Sequence, residues 1–185
     1  MTKQPYLIVD LETLGTKSNS VIMSIGAVLF TEKGIAKDKF YTNIDIKSCI
    51  DKGLNVDGDT LMWWMEQSDT ARNSLNGNRL PLDKALQKLK NYVFKNAKTY
   101  DVHPVGNSAR FDMGLLENAY NACGQEVFWK FWMERDYRTW KSLNGALPIS
   151  RHNGCDSATH NALQDAIEQA EHAIELNKQF GGILL

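Results

Sequence analysis

The sequence has few cysteines, little net charge and no long apolar run, and each of these absences excludes a class of protein. Its three cysteines form no CxxC pair, so we expect no disulfide framework and favour a reducing, cytoplasmic location. The net charge is −1, so a site for a polyanion must be local or bridged by metal ions. No apolar run approaches a membrane span, and the amino-terminal stretch is too short and too charged for a signal peptide.

The composition is that of an ordinary globular protein. Apolar residues make up 43% of the chain and charged residues 23%, which is the usual balance for a folded domain. A length of 185 residues is enough for one domain with a sizeable core. Since no repeat, low-complexity tract or linker interrupts the sequence, we predict one domain over residues 1–185.

The pattern of apolar residues predicts three strands, then helices that alternate with further strands. The predicted strands are 6–10, 21–30, 39–46, 100–107 and, from a weak alternation, 127–134. The predicted helices are 60–72, 81–96, 111–124, 136–146 and 157–182. A hairpin is expected at Gly34 and a loop over 50–59. This order predicts an α/β fold in which helices cover a mixed sheet.

Two carboxylates, Asp10 and Glu12, leave the end of the first predicted strand in the stretch YLIVDLETLG. A spacing of two residues on a strand puts both side chains on one face. Like charges that close raise each other's pKa unless a cation keeps them ionised. Hard oxygen ligands of this kind suit Mg²⁺ or Mn²⁺. Two other acid-x-acid pairs lack the preceding apolar run and the following turn at Gly15, so we interpret this pair as the metal-binding one.

Three further residues are candidates with strong structural alternatives. Asp112 lies in a predicted first helical turn, where an acid also favours the helix dipole. Asp165 falls off the predicted core stripe of the last helix, on a side that a solvated face would explain equally well. That stripe consists of Leu163, Ile167, Ala170 and Ile174, and the other side carries Glu168, Gln169 and His172. His160 would point about 140° away from Asp165 on one continuous helix, so the two converge only if His160 precedes the helix.

In this order the candidate residues resemble the DEDDh branch of the DEDD superfamily of 3′–5′ exonucleases. The matching stretches are DLET at 10–13, FD at 111–112 and HNALQDA at 160–166. Three more stretches, TLMWWMEQSDTAR, GNSARFDMGLL and RDYRTWKSL, resemble the exodeoxyribonuclease VIII-like group, which includes phage exonucleases. The resemblance implies a ribonuclease-H-like fold, with a mixed five-stranded sheet flanked by helices.

The resemblance also implies a chemistry. Asp10, Glu12, Asp112 and Asp165 would hold two divalent ions, Mg²⁺ or Mn²⁺, with Asp10 shared between them. Glu12 and Asp165 would complete one site, and Asp112 would support the other. His160 would take a proton from the water that attacks the 3′-terminal phosphodiester, and a nucleoside 5′-monophosphate would leave. The implied partner is the 3′ end of single-stranded DNA, favoured over RNA, and a homodimer is a further expectation.

Substrate contacts are expected from residues next to these motifs. Thr13, Leu14 and Gly15 would pack against the terminal nucleotide. Trp63 and Trp64 would stack on bases, although adjacent helical residues cannot share a face and one of them is expected in the core. Asn107 and Arg138 would contact phosphate or the surrounding loops, with a plain surface role as the alternative for Arg138. Phe111 is a candidate for either substrate contact or core packing.

Two other functions would account for part of this pattern. Haloacid-dehalogenase-type phosphatases place an aspartate after an apolar strand in the pattern DxDx[TV]. Here the second acid is Glu12, and His160 and Asp165 would have no role. A nucleic-acid-binding module on the same fold is the non-enzymatic alternative. All five motif residues are present, which favours the enzyme.

Overall fold

The computed structural model of the chain describes residues 4–143 and 160–182. Within them a six-stranded sheet forms the centre, in the order β4-β3-β2-β1-β5-β6. Its strands are β1 (Tyr6–Thr13), β2 (Ile22–Thr31), β3 (Gly34–Ile44), β4 (Arg79–Leu80), β5 (His103–Gly106) and β6 (Arg135–Asp136). β2 runs antiparallel to β1 and β3, and the other neighbours are parallel. The predicted mixed sheet is therefore confirmed, with six strands in place of five.

The helices of the described residues largely follow the predicted order. They are α1 (Ile46–Asp51), α2 (Gly58–Glu66), α3 (Asp69–Ser74), α4 (Leu82–Ala97), α5 (Ala109–Ala122), α6 (Tyr137–Leu143) and α7 (Ala162–Gln179). The single helix predicted over 60–72 is wrong, because Ser68 interrupts it and caps α3 by accepting the Ala71 N–H. The loop predicted over 50–59 is shorter than expected, since α1 ends and α2 begins inside that range.

The strand predicted over 127–134 is also wrong. This segment bends and then forms a short 3₁₀ helix, Phe131–Met133. Trp129 and Met133 are buried, whereas Phe131 and Trp132 are exposed. The buried positions thus recur after four residues, which suits a helical turn better than a strand. Pairing with β5 is made instead by the next two residues, which form β6.

Helices cover both faces of the sheet, and the alternation of side chains along β1 shows how. Leu7, Val9 and Leu11 belong to a core cluster with α4 and α5. Tyr6 and Ile8 belong to a second cluster with α6 and α7. Since Asp10 and Glu12 share the parity of Tyr6 and Ile8, their side chains emerge on the face covered by α7.

The packing of α7 corrects the predicted core stripe of this helix. Its most buried apolar side chains are Ala162, Ala166, Ala170, Ala173 and Leu176, whereas Leu163, Ile167 and Ile174 are only partly buried. Small side chains on this face let the helix lie close against the sheet. The closest approach is at Gly26 of β2, where an added Cβ would lie 2.2 Å from the backbone carbonyl of Ala162.

The helices and cysteines of the described residues bear on the predicted location of the protein. In the described part of the chain, no helix is long and apolar enough to cross a membrane. Cys49 and Cys123 are free thiols, and Cys155 lies outside the described residues. Residues 144–146 of the predicted helix over 136–146 and residues 157–159 of the predicted helix over 157–182 also lie outside the described residues. A cytoplasmic location stays a prediction.

Candidate active site

Three carboxylates meet where β1 ends and α7 begins. Asp10 and Glu12 come from β1, and Asp165 comes from the first turn of α7. One oxygen from each lies within 4.8 Å of the others. Glu12 is 8% exposed, and its buried Oε1 has no hydrogen-bond partner among the described residues. An all-carboxylate donor set with a buried, unpartnered oxygen fits a hard divalent cation.

A fourth carboxylate, Asp112, approaches from the first turn of α5. It is buried, and its Oδ2 accepts the backbone N–H of Ser108 at 3.2 Å. Gly106 at the end of β5 makes room for it, because an added Cβ there would lie 2.7 Å from Asp112 Oδ2. Asp112 is not part of the 4.8 Å trio, but its charge raises the pKa of both Asp10 and Glu12.

The four carboxylates all have raised pKa values. Burial is the largest cause in each case, and it lifts the pKa of Asp10 well above its usual range. Burial and the charges of Asp165 and Asp112 raise the pKa of Glu12 to about 7. Burial raises the pKa of Asp112 to about 7, against backbone N–H donors and the charge of Arg138. The pKa of Asp165 rises to about 6. Without a cation these four groups therefore keep their protons to a higher pH than free carboxyl groups do.

The alternative of a solvated face for Asp165 is wrong. Asp165 is half-buried in the carboxylate cluster, and Gln169, one turn further along α7, is 9% exposed. The Nε2 of Gln169 donates to Oδ1 of Asp10 at 2.8 Å. Gln169 is not among the site residues predicted from the sequence. Its spacing of four residues from Asp165, which places both on one side of a helix, is the signal that could have found it.

His160 satisfies the condition set for its convergence with Asp165. It precedes α7, with φ at +39°, and Asn161 caps the helix with its side chain. The His160 ring contacts Trp63 with centroids 4.9 Å apart and Trp64 at 5.8 Å, both edge-on. Trp64 Nε1 donates to the carbonyl of Thr13 at 2.9 Å. The histidine is thereby tied, through Trp64, to the residue that follows Glu12.

The tryptophan pair and the residues after Glu12 occupy distinct positions. Trp63 is 42% exposed and Trp64 is 5% exposed, which confirms that one of the two lies in the core. Thr13 Oγ1 donates to the carbonyl of Gly15 at 2.7 Å. Leu14 is buried in the core cluster, and an added Cβ at Gly15 would lie 2.4 Å from Ser20 Oγ. These three residues form a tightly packed turn, and their contact with a nucleotide stays a prediction.

The remaining candidates lie around Asp112. The carbonyl of Asn107 accepts the backbone N–H of Arg138 at 3.2 Å, which joins the end of β5 to α6. Phe111 is partly buried against the core. Arg138 is exposed, and its charge lowers the pKa of Asp112. The structure thus brings Asn107, Phe111 and Arg138 to the Asp112 side of the carboxylate cluster.

Known structures share this fold. The nuclease domain of 3′hExo, a DEDDh family member bound to rAMP, aligns with a TM-score of 0.62 over 98% of this chain and 95% of that chain, at 11% identity. Cell-death related nuclease 4 (CRN-4) aligns with a TM-score of 0.52 over 97% of this chain and 64% of that chain, also at 11% identity. The predicted ribonuclease-H-like fold is confirmed. No curated protein matches the sequence.

A family model places the chain more narrowly. The model of the 3′-5′ exoribonuclease Rv2179c-like domain matches residues 5–176. The chain therefore belongs to the Rv2179c-like family, and it is a 3′–5′ exonuclease. This agrees with the resemblance to 3′–5′ exonucleases found in the sequence.

Proposed function

We propose that this chain is a metal-dependent exonuclease that releases nucleoside 5′-monophosphates from the 3′ end of single-stranded nucleic acid. The observation that carries the proposal is the meeting of Asp10, Glu12 and Asp165 within 4.8 Å. These three groups come from two distant parts of the chain, and their burial is costly unless a cation compensates it. A haloacid-dehalogenase-type phosphatase is disfavoured, because Asp165 and Asp112 would then have no purpose beside the first strand.

The residues of the site divide into two ligand groups. Asp10, Glu12 and Asp165 would hold one divalent cation, Mg²⁺ or Mn²⁺, and Asp112 would support a second one beside Asp10. When bound, such cations supply Lewis acidity and positive charge at the phosphate. Positive charge supplied in this way fits a chain whose own net charge is −1.

His160 would act as the general base. A ring nitrogen of His160 takes the proton of the attacking water, and a group so placed contributes about 10²–10⁴-fold to the rate. Its edge-on contacts with Trp63 and Trp64 fix the position of the ring, and Trp64 links it to Thr13, the residue after Glu12. The exposed Trp63 face would stack on a base of the substrate. On the other side, Asn107, Phe111 and Arg138 would contact the terminal nucleotide, together with the turn formed by residues 13–15.

The proposal also concerns the sugar of the substrate, which is deoxyribose in DNA and ribose in RNA. The stretches that resemble the exodeoxyribonuclease VIII-like group favour DNA. The description of the matched family names an exoribonuclease, and the 3′hExo structure contains rAMP, which both favour RNA. We propose a single-stranded 3′ end as the common substrate, with the preference set by contacts at the 2′ position. A homodimer is proposed as the assembly, to be tested by light scattering after size-exclusion chromatography.

The test is digestion of matched DNA and RNA oligonucleotides, labelled at the 5′ end, in Mg²⁺, Mn²⁺ or EDTA. The expected result is a metal-dependent ladder that shortens from the 3′ end and disappears in Asp10→Asn. Asp59→Asn is the matched control, since Asp59 is an exposed member of another acid-x-acid pair, and it should leave the ladder unchanged. Binding without cleavage in every metal would support the non-enzymatic module and contradict the proposal.

A further inference from the structure

The candidate cation site contains a neutral side chain that no ligand role explains. Gln169 lies on α7 one turn after Asp165, on the face that packs against the sheet. It is 9% exposed, although its side chain is a polar amide. Burying an amide is unfavourable unless both of its ends find partners, so the position of Gln169 calls for a reason.

One end of the Gln169 amide is bound to the central ligand of the site. Its Nε2 donates to Asp10 Oδ1 at 2.8 Å. In the cation-bound site the Asp10 carboxylate is ionised and only accepts hydrogen bonds, which agrees with this orientation of the amide. The hydrogen bond therefore fixes the position of the Asp10 carboxylate from the side of α7.

The other end of the Gln169 amide, its Oε1, supports the same conclusion. The Oε1 of Gln169 is buried and has no partner among the described residues, and Glu12 Oε1 is in the same condition. Two unpartnered acceptors beside one carboxylate cluster favour a site that receives a cation and its water. A helix-to-sheet contact with no other purpose would leave a buried acceptor without a partner, which is unfavourable.

We propose that Gln169 is a positioning residue, which fixes the orientation of Asp10 for cation binding without itself touching the reacting atoms. The inference rests on the proposed function, because it assigns to Asp10 the role of a metal ligand. Replacing a residue that hydrogen-bonds to a metal ligand typically lowers metal affinity by about 10–100-fold. Gln169 would have this effect while leaving the fold intact.

The inference is tested by isothermal titration calorimetry, in which Mn²⁺ is titrated into the metal-free protein. Gln169→Met keeps the length of the side chain and removes the donor, and Gln169→Asn keeps the amide but withdraws it from Asp10. Both should bind Mn²⁺ about 10–100-fold more weakly than the wild type. Asn177→Leu is the matched control, since Asn177 is also buried and lies two turns further along α7. It should bind Mn²⁺ as the wild type does.

The outcomes separate this inference from the proposed function. If both Gln169 variants bind Mn²⁺ like the wild type while Asp10→Ala does not bind it, the positioning role is wrong and the cation site stands. If Asp10→Ala also binds Mn²⁺ normally, the proposed cation site itself is wrong. A merely structural role for Gln169 would lower the melting temperature of the metal-free variants and leave their affinity for Mn²⁺ unchanged, which also overturns the inference.

Discussion

Gly26 lies directly opposite Asp10 in the antiparallel pairing of β1 with β2. At this point the backbone of Ala162, the first residue of α7, approaches to 2.2 Å from where a Cβ on Gly26 would be. A glycine in the middle of a buried strand is otherwise unfavourable. Its presence lets the start of α7, with His160 before it and Asp165 within it, reach the strand that carries Asp10.

The first prediction concerns this close approach. Gly26→Ala should push the first turn of α7 away from β1, because backbone atoms cannot yield as a flexible side chain does. We expect a loss of about 1–3 kcal/mol in the free energy of unfolding, as for other overpacked cores, together with loss of nuclease activity. Denaturant unfolding and the digestion assay measure the two effects.

The matched control is Gly58→Ala, the same substitution at a helical position with no atom within 4 Å of the added Cβ. It should keep both stability and activity. Wild-type stability and activity in Gly26→Ala would show that α7 does not need this contact.

The close approach of α7 also shows which parts of the site the sequence could predict. Asp10 and Glu12 were placed correctly on one face, because alternation along a strand depends only on local geometry. Asp112 was likewise located by its position in a first helical turn. The inward face of α7 was assigned only in part, because alanines are weakly hydrophobic and the partly buried Ile167 and Ile174 give the stronger signal. What decides the packing is Gly26, a residue of another element that no local pattern links to α7.

The strands that were missed have a similar explanation. β4 and β6 are two residues long each, which is too short for any periodic pattern. They pair with β3 and β5 through backbone hydrogen bonds, and those are available to almost any sequence. Their formation depends on the sheet edges beside them rather than on their own residues.

A second prediction concerns His160. His160→Ala should reduce turnover by about 10²–10⁴-fold, the usual contribution of a general base, because the variant lacks the ring nitrogen that takes the proton of the attacking water. The affinities for Mn²⁺ and for a single-stranded oligonucleotide should remain near those of the wild type. Single-turnover cleavage and equilibrium binding separate the two effects. Weakened binding with normal turnover of each bound complex would contradict the role of general base.

A third prediction follows from the raised pKa values of the carboxylates. Glu12 and Asp112 have pKa values of about 7 in the folded protein and Asp165 of about 6, against about 4 in the unfolded chain. A raised pKa in the folded state means that the stabilisation is complete below about pH 4 and is lost as the pH rises toward 7. The melting temperature of the metal-free protein should therefore decrease as the pH is raised from 5 to 8.

Mn²⁺ should reverse this fall, because a cation stabilises the ionised carboxylates. Its effect on the melting temperature should be larger at pH 8 than at pH 5. Asp112→Asn removes one of the titrating groups and should flatten the pH dependence, whereas Asp59→Asn, an exposed acid, should not. Scanning calorimetry in EDTA and in Mn²⁺ measures both. The assignment fails if the melting temperatures of wild type and Asp112→Asn change in parallel with pH.

The last prediction distinguishes the two neighbouring tryptophans. Trp63 is 42% exposed and contacts His160, whereas Trp64 is buried and donates to the Thr13 carbonyl. Trp63→Ala should weaken binding of a single-stranded oligonucleotide by about 1–3 kcal/mol, the contribution of one stacked base, with little change in melting temperature. Trp64→Phe keeps a ring in the core but removes the hydrogen bond, so its main effect should be on turnover, through the position of His160.

Trp132→Ala is the control for Trp63→Ala, because Trp132 is 63% exposed and belongs to the 3₁₀ helix after β5. Equal losses of binding in Trp63→Ala and Trp132→Ala would show that exposure alone, and not contact with the site, determines the effect.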